Sequence, residues 1–182
     1  MLFDTTQPAI VWESSEPKSR ETLYLEQNNS PLLAAHYENW KQGLSSKETD
    51  LILLDLSCYL RNQVFDLRFC HRNIIESIVH QNPSEEISIE LFVQQKAGLC
   101  RHFAFAAYYF LEKIRLEGIL PIDSIQLVRK ILSIHGVQGK HVWLCISLNN
   151  ENRSFHFDPF WGMVIDSTVS DAKEILRDTY GL

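Results

Sequence analysis

Apolar residues recur at helical spacing through most of the first 120 residues. Leu32, Leu33 and Trp40 share one side of a segment that opens with Pro31, so we predict a helix over 31–41. Further helices are predicted at 45–64, 73–80 and 84–95, the first of these with Cys58 on its apolar, core-facing side. Residues 100–117 form a long apolar run without a helix breaker, which indicates a buried helix. Residues 1–20 are predicted to be an extended arm with a short strand at 9–12.

The pattern changes after Pro121. Segments 125–134, 142–148, 155–157 and 163–165 are rich in β-branched and aromatic residues and are divided by turn residues, which is typical of strands. A last helix is predicted at 171–178. A helical first part followed by consecutive strands predicts an α+β fold, in which an antiparallel sheet packs on the helices. We expect one domain over 1–182, with a helical N-terminal part at 1–87 and the candidate chemistry at 88–182.

Composition and charge limit the partners. The chain has 182 residues, 45% of them hydrophobic, and a formal net charge of -6. Nucleic acids and anionic membranes attract basic surfaces, so neither is expected as the main partner. The most apolar run, 51–60, contains Asp55 and is too short to span a bilayer. The N-terminus has no signal-peptide pattern, so we expect a cytoplasmic protein, or one delivered into another cell by a route without a cleavable signal.

Four cysteines are present, at 58, 70, 100 and 145, and their spacing fits neither a zinc site nor a disulfide framework. We therefore expect a reduced chain that needs no metal or cofactor. Most free cysteines are small core residues, and we assign Cys58 and Cys145 to the core on this ground. Cys70 and His71 lie in a segment for which the pattern predicts no element.

Cys100 differs from the other cysteines because it opens the predicted buried helix, directly after Gly98 and Leu99. The first turn of a helix has backbone N–H groups without intrahelical partners and the positive end of the helix dipole. Both favour thiolate over thiol, and the same N–H groups can stabilise an oxyanion. Cys100 is therefore a candidate nucleophile.

A thiol nucleophile needs a base, and the base needs an orienting group. His141 and Asp158 lie on two predicted strands joined by the turn sequence 149–152. With a two-residue turn, His141 lies opposite Asp158, where Cβ atoms are about 5 Å apart. With a four-residue loop the two are diagonal but share a face, whereas a three-residue loop places them on opposite faces. Two of the three registers therefore bring carboxylate and imidazole together.

This order of residues resembles the transglutaminase-like superfamily of papain-type cysteine enzymes. Three motifs carry the resemblance: Gly98-Leu99-Cys100 followed by Phe103-Ala104, His141-Val142-Trp143, and Asp158-Pro159 followed by Trp161-Gly162. The reactive residues of these motifs are 41 and then 17 positions apart. The resemblance covers about residues 88–165. It implies a papain-like fold with a Cys100 nucleophile, His141 as base and then acid, and Asp158 orienting the ring. The implied reaction is acyl transfer from an amide of a protein or peptide substrate: proteolysis, deamidation or transamidation.

The chain also departs from this family pattern. Val142 replaces an alanine, Phe160 replaces the threonine that follows Asp-Pro, and no acidic cluster for calcium is present. The first ninety residues match no pattern of the family.

Several assignments around the site stay open on the residues alone. Gln94 is a candidate oxyanion donor, and His156 is the rival base because it shares a strand face with Asp158. Trp143 and Trp161 are core aromatics or walls of a substrate groove. His102 is expected to point away from Cys100, towards solvent or substrate.

Two other functions compete with the amide-directed enzyme. An arylamine N-acetyltransferase also orders its reactive residues as Cys, His and Asp, but the glycine pair and the acidic residue that follow its cysteine are missing here. A catalytically silent transglutaminase-like module that binds a protein partner is the other alternative. The sequence favours the amide-directed cysteine enzyme because all three reactive residues are present.

Overall fold

The computed structural model describes residues 10–12, 22–26, 29–44, 48–67, 72–83, 86–134, 137–149 and 153–182. The helices are α1 (Pro31–Gln42), α2 (Thr49–Tyr59), α3 (Arg72–Gln81), α4 (Ile89–Gln94), α5 (Cys100–Leu116) and α6 (Ala172–Tyr180). A π-helical turn, Leu60–Val64, continues α2. The strands are β1 (Ile10–Trp12), β2 (Thr22–Leu25), β3 (Glu86–Ser88), β4 (Ile122–Ile134), β5 (Val137–Leu148), β6 (Ser154–Asp158) and β7 (Met163–Asp166).

The main sheet has four antiparallel strands in the order β4-β5-β6-β7. Side chains alternate across it, so each strand supplies two different cores. Phe155 and Phe157 of β6 join the large core that contains α5, whereas Trp143 of β5 packs with Leu176 and Tyr180 of α6 on the opposite face. The sheet is thus held between α5 and α6. The predicted α+β class with an antiparallel sheet against helices is confirmed.

A second, small sheet lies in the first half of the chain. It has the order β1-β2-β3, with β2 and β3 parallel and β1 antiparallel to β2. The predicted strand near 9–12 corresponds to β1, but β2 and β3 were not predicted. The predicted helix at 84–95 is wrong at its start, because 86–88 is a strand. Ser88 then caps α4 by accepting a hydrogen bond from the Glu90 N–H at 3.3 Å.

The assignment of Cys58 to the core is wrong, since its side chain is exposed. The buried face of α2 consists of Ile52, Leu53 and Leu56, while Leu51 and Leu54 are 45% and 40% exposed. Apolar residues of α2 occur on all sides of the helix, so their spacing does not identify which side is buried.

None of the helices in the described segments is both long enough and apolar enough to traverse a lipid bilayer.

Candidate active site

The loop before α5 places Cys100 by close packing. A Cβ on Gly98 would lie 2.9 Å from Cδ1 of Phe65 and 3.2 Å from the ring of Phe103. These two rings are themselves in contact, with centroids 4.4 Å apart. Only a residue without a side chain fits here, and two residues later Cys100 opens the helix, partly exposed.

The Cys100 thiol lies against an open edge of β5. The Leu148 N–H donates to the Arg153 carbonyl, so even-numbered residues of β5 direct their backbone groups towards β6. β6 ends at Asp158, and beyond it the backbone groups of Lys140 and Val142 have no strand beside them in the described sheet. Cys100 Sγ lies 4.0 Å from the Lys140 carbonyl oxygen. The thiol therefore lies beside the part of β5 that extends past the end of β6.

His141 and Asp158 are joined by a hydrogen bond of 2.5 Å from Nε2 to Oδ2. The strands pair with Leu144 opposite Phe157, and the hydrogen bond from the Leu148 N–H to Arg153 continues this register, so four positions separate the two strands. This register makes His141 diagonal to Asp158 on one face of the sheet, the second of the two productive arrangements expected. The other ring nitrogen, Nδ1, is the one available to Cys100.

The Asp158 carboxylate is fully buried and accepts four hydrogen bonds. Oδ1 accepts from the backbone N–H groups of Phe160 and Trp161, at 3.1 and 3.0 Å. Oδ2 accepts from His141 and, at 3.1 Å, from the Tyr180 hydroxyl of α6. The carboxylate is thus locked in one orientation, and a buried charge is stabilised by donors on every side.

Aromatic rings fix the plane of the imidazole. The Trp161 ring stacks on His141 with centroids 3.9 Å apart and 13° between the planes. Trp143 and Tyr180 stack on each other at 4.4 Å, and Trp143 also lies 6.0 Å from the imidazole. Trp143 is fully buried and is a core residue, whereas Trp161 is partly exposed beside the reacting groups.

The surroundings of Cys100 favour its thiolate. Burial raises the pKa of the thiol, whereas the hydrogen bond and the positive charge of His141 lower it. The Val142 N–H and the Arg101 charge act in the same direction, so the pKa of Cys100 lies below its ordinary value.

His141 shifts the opposite way. Burial lowers its pKa, but the hydrogen bonds to Asp158 and Cys100 and the charges of both raise it to about 9. A lowered thiol pKa beside a raised imidazole pKa shifts the pair towards a thiolate and an imidazolium.

Two other histidines do not take the place of His141. His156 Nδ1 accepts a hydrogen bond of 3.1 Å from the Trp143 indole, and burial lowers the pKa of the ring, so His156 is held neutral. His102 was expected at the surface, and this is wrong. It is fully buried against Phe92, and its Nδ1 accepts from the Leu99 N–H at 2.9 Å. The reason is that α5 is buried on all sides along 102–107, which leaves no outward face there.

The other residues that the sequence analysis singled out do not belong to the hydrogen-bonded group around Asp158. Gln94 is exposed at the last residue of α4, and its role as an oxyanion donor stays a prediction. Cys145 was assigned to the core, but its side chain is partly exposed; it lies opposite His156 in the sheet, and burial raises the pKa of its thiol. Cys70 and His71 lie outside the described residues.

The sequence did not identify Tyr180 as part of this site. The last helix was predicted to end at 178, whereas α6 extends to Tyr180 and carries its hydroxyl to Asp158. Gly181, with φ 64°, ends the helix directly afterwards, and a glycine of that kind is the signal that marks the true end.

Within the described segments, no three His, Cys, Asp or Glu side chains converge in a way that would hold a metal ion. Comparisons of this chain with protein-family models, with curated proteins and with solved structures find no match.

Proposed function

We propose that this protein is a cysteine-dependent acyl-transfer enzyme that acts on amide bonds of a protein or peptide. One observation carries the proposal: the His141 ring is hydrogen-bonded to Asp158 and lies near enough to Cys100, at the start of a buried helix, to lower the pKa of the thiol. A nucleophile, a base and an orienting carboxylate in this arrangement are the parts that amide chemistry by a thiol requires. We also propose that the fold is papain/transglutaminase-like.

In the first half of the proposed reaction, the Cys100 thiolate attacks the amide carbonyl carbon and forms a C–S bond. The negative charge moves to the carbonyl oxygen, where first-turn N–H groups of α5 can stabilise it. The His141 imidazolium then gives its proton to the amide nitrogen, the C–N bond breaks, and an amine or ammonia leaves. A thioester on Cys100 remains.

In the second half, neutral His141 takes a proton from water or from an acceptor amine, whose oxygen or nitrogen attacks the thioester. The C–S bond breaks and the thiolate is restored beside a protonated His141. Water gives hydrolysis or deamidation, and an amine gives transamidation. Asp158 keeps the imidazole in one tautomer and one orientation throughout both halves.

The first test is the pH dependence of alkylation at each cysteine, followed by peptide mass spectrometry. We expect Cys100 to react with an apparent pKa well below the free-thiol value of about 8.5. His141→Ala is expected to remove this shift, because it removes the positive charge beside the sulfur. His156→Ala is the matched control and is expected to leave Cys100 unchanged, while Cys145 provides a slow internal reference.

A normal Cys100 pKa that is indifferent to His141 would overturn the proposal and favour the silent protein-binding module. If the shift is found, peptides and glutamine-containing proteins are screened with and without an amine acceptor, with Cys100→Ala as the inactive reference. Transfer of an acetyl group from acetyl-coenzyme A to Cys100, without turnover of any amide, would instead point to the N-acetyltransferase alternative.

A further inference from the structure

Arg61 lies at the margin of the candidate active site, on the π-helical turn that continues α2. Its guanidinium packs so closely on Gly162 that a Cβ on this glycine would overlap Nη1. Gly162 directly follows Trp161, whose ring stacks on His141. The arginine therefore lies beside the segment that supports the imidazole.

The same turn also reaches the helix that carries the thiol. Phe65, which follows the turn directly, contacts Phe103 of α5, and Phe103 packs edge-on against Phe160 at 5.3 Å. The turn thus bridges the start of α5 and the segment 158–162. A side chain on it is well placed to contact a substrate bound to both Cys100 and His141.

The guanidinium of Arg61 has no acidic partner among the described residues, although its side chain is only partly exposed. Arg153, with 35% of its side chain exposed, pairs with Asp166 at 2.6 Å, and even the 79% exposed Arg72 pairs with Glu76. The contrast matters in a chain with 23 acidic and 17 basic residues. A partly desolvated cation with five N–H donors is costly unless an acceptor comes from outside.

We propose that Arg61 binds a carboxylate of the substrate, so that the preferred substrate is an acidic segment with Asp or Glu beside the reacting amide. This inference rests on the proposed function and adds the substrate class to it. The planar guanidinium matches a carboxylate with two parallel hydrogen bonds. Arg101 and Lys140, which adjoin Cys100 and His141 in the chain, add positive charge near the same place.

The first experiment needs no substrate. Cys100 is alkylated at pH 7 with iodoacetate, which is anionic, and with iodoacetamide, which is neutral and of similar size. In Arg61→Gln the iodoacetate-to-iodoacetamide rate ratio is expected to fall about threefold, as loss of one nearby charge in a water-exposed cleft implies. Arg72→Gln is the matched control: it removes the same charge from α3 and is expected to keep the ratio. An unchanged ratio in Arg61→Gln would overturn the proposal.

The second experiment uses peptide pairs that differ only by Glu or Gln next to the reacting amide. The wild type is expected to favour the Glu peptide by about tenfold in kcat/KM, the scale of one charge-assisted contact. Arg61→Gln is expected to remove this preference by raising the KM of the Glu peptide to that of the Gln peptide. Equal turnover of both peptides by the wild type would refute the Arg61 proposal and leave the enzyme intact. If Cys100 is unreactive, the proposed enzyme is refuted. The iodoacetate-to-iodoacetamide rate ratio is then measured at the residual alkylation rate of Cys100, and it still tests the charge of Arg61.

Discussion

At the scale of single residues, Asp158 decides the charge state of the site. Four donors surround a carboxylate that no water reaches, and one of them is the imidazole of His141. Burial lowers the pKa of His141, but the hydrogen bonds and charges of Asp158 and Cys100 raise it to about 9, so the ring keeps its proton above the ordinary range of a histidine. The site therefore links its chemistry to the stability of the folded protein.

This link has a definite sign. A group whose pKa is raised by folding stabilises the protein fully below its unfolded pKa, about 6.5 for histidine, and this contribution is lost as the pH rises through the folded value. In a Cys100→Ser background, which removes the titration of the thiol, His141→Gln is expected to cost the most below pH 6.5. Its cost is expected to shrink by about 1–3 kcal/mol as the pH rises, as measured by urea unfolding.

His156→Gln in the same background is the control for this measurement. Burial lowers the pKa of His156, so its ionisation opposes folding below pH 6.5 and the trend with pH has the opposite sign. If the cost of His141→Gln stays constant or grows with pH, His141 is not held protonated by Asp158.

Part of the candidate site could be predicted from the way side chains alternate between the two faces of a hairpin. His141 and Asp158 meet because a four-residue loop keeps both on one face, and the loop sequence allowed that register. His102 was misplaced because burial of α5 on every side depends on packing from distant elements. Arg61 was missed because its contact with Gly162 spans about a hundred residues of chain. Tyr180 was missed because its contact with Asp158 depends on the last turn of α6.

At the scale of elements, the position of the thiol depends on how α5 begins. The segment before Cys100 passes between two packed phenyl rings, and it fits because Gly98 has no side chain. Phe65 and Phe103 are both fully buried, so neither ring can turn away from an added methyl group into solvent without a rearrangement of the core.

We expect Gly98→Ala to lower the free energy of unfolding by about 1–3 kcal/mol, because the added methyl group overpacks this contact. Gly139→Ala is the matched control, since a Cβ there would have no atom within 4 Å, and we expect it to change stability by less than about 0.5 kcal/mol. Equal effects of the two substitutions in chemical denaturation would show that the loop before α5 adapts without cost.

Long elements were easier to predict than short ones. The buried helix and the long strands carry many periodic positions, whereas β1, β2 and β3 have only three or four residues each. β2 also pairs with β3 across more than sixty residues of chain, with Thr22 opposite Glu86. Such pairing is set by the assembled molecule and leaves no local signal.

At the scale of the whole molecule, one core joins the two parts of the chain that the sequence suggested. Phe110 of α5 contacts Tyr37 and Trp40 of α1 at 5.6 and 5.7 Å between ring centroids. Leu53 and Leu56 of α2 belong to the same cluster. The helices of the first half therefore cover the helix that carries the candidate nucleophile.

The segment 88–182 made alone is therefore expected to lack a cooperative unfolding transition. Losing the cover of four or more large apolar side chains, at about 1.5–3 kcal/mol each, matches or exceeds the usual stability of a domain. Circular dichroism of the segment and of the full chain during thermal unfolding makes the comparison. A cooperative transition with native near-ultraviolet signal would show that 88–182 is an independent unit.

The order of these groups along the chain has a consequence for synthesis on the ribosome. Translation delivers the thiol first, then the imidazole and the carboxylate, and the Tyr180 hydroxyl that completes the shell of Asp158 comes 22 residues after it. Until α6 folds back over the sheet, Asp158 lacks one donor, and Trp143 lacks the ring that covers it. A nascent chain in which α6 has not yet folded thus carries an unfinished site, and α6 is the helix that completes it.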